Sequence, residues 1–180
     1  VLNGLNNRIF MYYAGFEICT NIRYRILSGL AVSEDGGLTF HRVSRAPILE
    51  RSNTEQFFRG GPFVLHDNDI FKLWYVAGSE WIELDGKEMP TYDIRYLEST
   101  DGINWHHEGL VTLPITQEDE HGFGRPWILK ESSGSYKLFY SVRRKSFAAY
   151  RLGYAESEDG VNWDRRDLRM GLDVSDTGFD

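Results

Sequence analysis

Apolar residues in this chain fall in short runs that stop at turn residues, and the same succession of runs returns three times. An aromatic-rich segment ending in Tyr opens each copy: Ile9 to Tyr13, Phe71 to Tyr75 and Tyr136 to Tyr140. A second run follows, in which Ile94 and Tyr96 alternate with polar neighbours as a half-buried strand requires. A Ser-x-Asp-Gly turn closes the unit and leads to an aromatic residue: Ser33 to Phe40, Ser99 to Trp105 and Ser157 to Trp163. Tyr13, Tyr75 and Tyr140 lie 62 and 65 residues apart, and Asp35, Asp101 and Asp159 lie 66 and 58 apart. A long internal period built from strands marks a repeat architecture.

Each copy reads as four strands. In the middle copy these are Pro62 to Leu65, Phe71 to Val76, Asp93 to Glu98 and Ile103 to about His107, and the next copy repeats the set from Pro126 to Asp164. Antiparallel four-stranded units repeated in this way predict an all-β, β-propeller-type fold, with about three blades in this chain. Residues 1–48 read as a partial blade, 49–112 and 113–170 as blades, and 171–180 as the start of another. Propellers close with about 4–8 blades. The chain therefore reads as a segment of a five-bladed parent, or as a protomer that a homo-oligomer would complete. Loop length separates two faces. The segments Gly15 to Tyr24, Ala77 to Tyr92, Ser141 to Tyr150, Val43 to Gly61 and Gly109 to Arg125 read as long loops on one face. Function concentrates on long loops held by a rigid scaffold.

Composition narrows the partner. The chain has 180 residues, enough for a core, and 14% are aromatic, which favours strands and carbohydrate-type surfaces. The net charge of −7 argues against nucleic acid, which needs a positive field. No apolar run is long enough to span a bilayer. Cys19 is the single cysteine, which excludes an internal disulfide and a Cys-based metal site. It fits the reducing cytoplasm, and equally a secreted protein without disulfides. The chain begins Val1-Leu2 rather than with Met, which points to a cut or processed start. No histidine pair has metal-ligand spacing, and no glycine-rich phosphate loop follows a strand into a helix. No cofactor or metal is expected.

Candidate chemistry sits just before the inner strands, at Phe57 to Pro62, Gly122 to Trp127 and Gly178 to Asp180. Arg59 and Arg125 are expected to point to a central pocket and to suit a planar anion, since the guanidinium fork bonds a carboxylate bidentately. Arg143 joins them as a substrate-binding candidate. Pairing with a loop carboxylate such as Glu55 or Glu120 is the alternative for each arginine. Glu55, Glu120 and Asp180 are the carboxylate candidates for cleaving a glycosidic bond. Such a pair stands about 5–5.5 Å apart for retention and about 6.5–9.5 Å for inversion. A solvated loop acid is the plainer reading of each alone. Trp81 and Trp127 are sugar-platform candidates, and His121 is the histidine beside the expected pocket. The Ser-x-Asp-Gly turns read as structural, since their side chains can bond nearby backbone N–H groups.

The Ser-x-Asp-Gly-x-x-Trp turns, with Tyr-ending strands and Gly153-Tyr154-Ala155-Glu156-Ser157 before one of them, resemble the five-bladed β-propeller glycoside hydrolases of families 32, 43, 68 and 130. The run Ser33 to Phe40 is also similar to the sialidase Asp-box pattern. The resemblance implies a glycoside hydrolase-like protein that cleaves or processes a carbohydrate substrate, with acidic residues at inner-strand starts. Where many members carry Asp-Pro, this chain has Gly61-Pro62 and Arg125-Pro126. That departure leaves two alternatives: a non-catalytic carbohydrate-binding or assembly propeller, and a phosphorylase-like enzyme acting on an anionic or phosphate co-substrate.

Overall fold

The computed structural model describes residues 2–106, 108–146, 149–173 and 175. Among them the chain is all-β apart from two short 3-10 turns, and no helix is long and apolar enough to cross a membrane. Three antiparallel units follow one another. The first holds β1 (Leu2–Asn3), β2 (Ile9–Ile18), β3 (Tyr24–Ser33) and β4 (His41–Arg42). The second holds β5 (Phe58–Asp67), β6 (Ile70–Leu84), β7 (Lys87–Ser99) and β8 (Leu110–Leu113). The third holds β9 (Glu120–Lys130), β10 (Tyr136–Arg144), β11 (Tyr150–Ser157) and β12 (Asp164–Arg165).

Within each unit neighbours pair antiparallel in chain order. Between units the third strand also pairs parallel with the next inner strand, near the start of β3 and midway along β7. Ile26 and Leu27 face Phe58 and Arg59, and Tyr92 faces Gly122. The units therefore splay like blades and bury apolar side chains between them. One core joins Phe10, Leu30 and Val32 of the first unit to Val64, Phe71 and Leu73 of the second. The other joins Trp74, Ile94 and Tyr96 to Phe123, Leu138 and Val142.

Four segments differ from the sequence reading. The expected loop Ala77 to Tyr92 is a continuous two-stranded arm, because Asp85 and Gly86 adopt left-handed φ of 51° and 73° and turn the chain in two residues. The loops Gly15 to Tyr24 and Ser141 to Tyr150 are likewise shortened by strands that run on to Ile18 and Arg144. The fourth strand expected at Ile103 to His107 lies later, at β8 (His107 itself is outside the described residues). Ile103 and Asn104 cannot enter the ladder because their N–H groups are committed to the Asp101 carboxylate, each at 2.8 Å.

The Ser-x-Asp-Gly turns act as staples. Ser99 Oγ donates to Asp101 Oδ1 at 2.9 Å and accepts from Gly102 N–H at 3.0 Å; Ser157 repeats both bonds with Asp159 and Gly160 at 2.9 Å. Burial works against ionisation of Asp101, yet the N–H groups of Asn104 and Ile103 hold its carboxyl at about 2. The Asp159 carboxyl is held low by the N–H groups of Asn162 and Val161, which donate to it.

Candidate functional site

Both long inner strands carry the same irregularity at the same place. Between Gly60 and Phe63, β5 has one more residue than the stretch of β6 opposite, so Gly61-Pro62 faces Tyr75 alone. Between Gly124 and Trp127, β9 does the same, and Arg125-Pro126 faces Tyr140. Proline cannot donate to the ladder, so a bulge is where a strand accepts it. Bulges re-aim side chains, often beside active sites. The residue before each proline sits at left-handed φ: 59° at Gly61 and 50° at Arg125. Segments 55–62 and 120–127 lie side by side, as β5 packs on β9 and the Phe63 and Trp127 rings meet at 5.0 Å.

Behind the first bulge lies a buried charge circuit. The Glu55 carboxylate is fully buried and forms ion pairs with Arg59 and with Arg95, the latter at 3.0 Å. It also accepts from the Tyr75 hydroxyl at 2.9 Å and from the Gly109 N–H at 2.8 Å. Arg59, expected to face a central pocket, is 1% exposed and donates to the Glu50 carbonyl and the Tyr75 hydroxyl. Burial, with Glu55 alongside, pushes the Tyr75 hydroxyl well above its ordinary range.

Behind the second bulge an analogous circuit uses different positions. Arg165 makes a two-pronged contact with Glu120 at 2.9 and 2.7 Å and also pairs with Asp167 at 2.6 Å. Tyr140 donates to Asp167 at 2.8 Å. The Arg165 guanidinium lies 5.1 Å over the Phe123 ring, as Arg59 lies 5.3 Å over Tyr75. Glu55 and Glu120 thus end as buried, guanidinium-bound carboxylates in two separate circuits. Asp180 lies outside the described residues.

The remaining candidates lie on β9, on β10 and on the arm of β6 and β7. Arg143 donates to the Tyr92 hydroxyl at 3.2 Å and lies 5.1 Å over the Tyr150 ring. His121 is buried and its Nδ1–H donates to the Pro90 carbonyl at 3.1 Å, which leaves Nε2 as the acceptor. Burial pushes this imidazole below its ordinary value, and Arg143 and Lys145 act in the same direction. Trp81 packs edge-on against Tyr24 and tilted against Phe58, each at 5.4 Å. Trp127 is 62% exposed and Arg125 is exposed beside it.

Asp93 and Arg95 were not singled out from the sequence. They pair at 2.9 Å and line a cleft of about 330 Å³ with Thr54, Ser79 and Thr91. Burial pushes the Asp93 carboxyl up against the pull of Arg95. Their alternate placement on one strand face was the signal available.

No family model matches the chain. Over 94% of its length it is 29% identical to two uncharacterised proteins of Mycobacterium tuberculosis, Rv1502 from strain H37Rv and MT1551 from strain CDC 1551. It spans about half the length of these curated relatives, 54% in each case. Among solved structures, a glycoside hydrolase superposes with a TM-score of 0.70 at 20% identity, covering 91% of this chain and 50% of the other. A thermostable family-43 glycoside hydrolase gives 0.66 at 20% identity, covering 89% and 51%. A Bombyx mori family-32 β-fructofuranosidase in complex with sucrose gives 0.68 at 18% identity, covering 89% and 34%. The chain has the fold of the β-propeller glycoside hydrolases. In propeller terms the three units are blades, β5 and β9 are inner strands, and the two bulges lie on neighbouring inner strands.

Proposed function

We propose that this chain forms part of a carbohydrate site in a glycoside hydrolase-like propeller, and that its described residues bind and orient the sugar. The observation that carries the reading is the repeated bulge before Pro62 and Pro126. It sets the exposed Arg125 and Trp127 just after Gly124, over which the Tyr150 ring lies with Arg143 on its face. An apolar ring face and a nearby guanidinium are what a sugar with an anionic group requires.

Glu55 and Glu120 serve in this reading as wall supports. A general acid must reach the glycosidic oxygen, and a base must reach water. Both carboxylates are withdrawn from solvent and saturated by guanidinium, hydroxyl or N–H donors. Cleavage by paired carboxylates would therefore draw on other acids, with Asp180 the remaining candidate.

A second reading is a propeller that binds carbohydrate without turning it over, and the two locked glutamates favour it. Turnover of aryl glycosides and oligosaccharides, with and without phosphate, separates the readings. Hydrolysis supports the glycosidase, phosphate-dependent release supports a phosphorylase-like enzyme, and binding without turnover supports the binding propeller. A chain that neither binds nor cleaves any member of the panel contradicts the proposal.

A further inference from the structure

Arg125 occupies a place that the chain elsewhere gives to glycine. Gly61, in the matching bulge of the preceding blade, adopts φ 59° without steric cost, whereas Arg125 adopts φ 50° with a full side chain. A strained residue of this kind persists only where the surroundings enforce it, and such residues cluster at functional sites. No hydrogen bond, ion pair or ring contact engages Arg125 among the described residues, in contrast to Arg59, Arg95, Arg143 and Arg165. Trp127, two residues on, is 62% exposed. The Tyr150 ring lies over Gly124, 3.6 Å from where a Cβ would stand, and is 52% exposed with Arg143 on its face. An exposed arginine without such a partner thus follows Gly124, which the Tyr150 ring covers, and precedes the exposed Trp127 by two residues, on a chain whose net charge is −7.

We infer that Arg125 determines specificity at the proposed sugar site and reads a carboxylate, so that the preferred ligand is a uronic acid residue. The inference rests on the carbohydrate reading above. A carboxylate presents two coplanar oxygens that match the guanidinium fork. The flat, apolar C–H face of a pyranose suits the neighbouring rings. The otherwise acidic chain repels anions generally, so selectivity has to be local.

Calorimetric titration of the full chain with a methyl uronoside and with its neutral methyl ester tests this. The wild type is expected to favour the acid at least roughly tenfold, a difference a charge-assisted bidentate pair supplies. Arg125→Gln should bring the acid-to-ester ratio near one. Arg125→Gly should do the same with a melting temperature no lower than wild type, since Gly61 already occupies the equivalent bulge. Arg125→Lys should retain only part of the preference. Equal wild-type affinities, a ratio that survives both Arg125→Gln and Arg125→Gly, or tighter binding of a sulfated sugar than of the uronoside would overturn the inference. Ester binding without acid preference sinks this inference alone, whereas no saccharide binding at all sinks the carbohydrate site with it.

Discussion

The indole N–H of Trp74 on β6 donates to the carbonyl of Gly160, 2.7 Å away in the Ser-x-Asp-Gly turn of the following blade. The Tyr12 hydroxyl on β2 makes the same bond to Gly102 at 2.7 Å, one blade earlier. The Ser-x-Asp-Gly turns of the second and third blades are thereby each fastened to the second strand of the blade before. The repeat legible in the sequence is therefore also a repeat of contacts between blades. Trp74→Phe removes the donor and leaves a buried carbonyl without its partner, at a cost of about 1–3 kcal/mol. Urea unfolding of Trp74→Phe, Tyr12→Phe and the double variant should show two losses that add, since the bonds join different blade pairs. An unchanged midpoint for Trp74→Phe would contradict the fastening role.

Acid should loosen these turns. The folded Asp101 carboxyl is held at about 2, below its ordinary 3.8, by N–H donors that outweigh its burial. A lowered folded value means that the unfolded chain takes up the proton first as pH falls. The stabilisation is complete above about pH 4 and is lost progressively towards about pH 2. Asp35 and Asp159 are shifted in the same direction. Asp101→Asn should flatten the dependence of stability on pH between about 4 and 2 relative to wild type. An equally steep slope in the variant would show that other groups carry the acid transition.

Glu55 tests the scaffold role directly. Glu55→Ala leaves Arg59 and Arg95 buried without their shared anion, a change that costs about 3–5 kcal/mol. Glu55→Gln keeps the shape and loses the charge, so its loss should be smaller but in the same direction. Thermal melting should fall in the order wild type, Gln, Ala. A Glu55→Gln chain that melts like wild type and has lost turnover would assign the residue to acid–base chemistry instead.

Gly109 is predicted to tolerate no side chain. A Cβ there would stand 2.2 Å from the Tyr75 hydroxyl, and the Gly109 N–H is itself a donor to Glu55. Gly109→Ala should destabilise the chain, whereas Gly134→Ala, which has open space but a left-handed φ of 95°, should show only the milder cost of its backbone. Comparable melting shifts for the two variants would contradict the tight circuit around Tyr75.

The blade repeat was legible because Ser, Asp and Gly act on their own backbone within four residues, a local chemistry that sequence spacing records. The extent of the strands was less so. The arm from Ala77 to Tyr92 looked like a loop because its residues are charged, although Asp85-Gly86 was a readable hairpin signal. The pairing of Arg59 with Glu55, four residues apart, was open in the sequence as an alternative, but the full circuits around Glu55 and Glu120 were not legible. Their arginine partners include Arg95 and Arg165, which lie 40 and 45 residues further on. Only folding brings those charges together. Arg125 was readable as a pocket-facing candidate just before an inner strand, but its left-handed backbone was not, because the bulge that imposes it forms only when β9 pairs with β10.

Nuclear magnetic resonance titration of the labelled chain with neutral and acidic monosaccharides is the most direct measurement. The account predicts saturable shifts of the Trp127 indole N–H and of the Gly124 and Arg125 amides. Silence of these signals across the panel, or shifts confined to the cleft lined by Asp93 and Arg95, would contradict it.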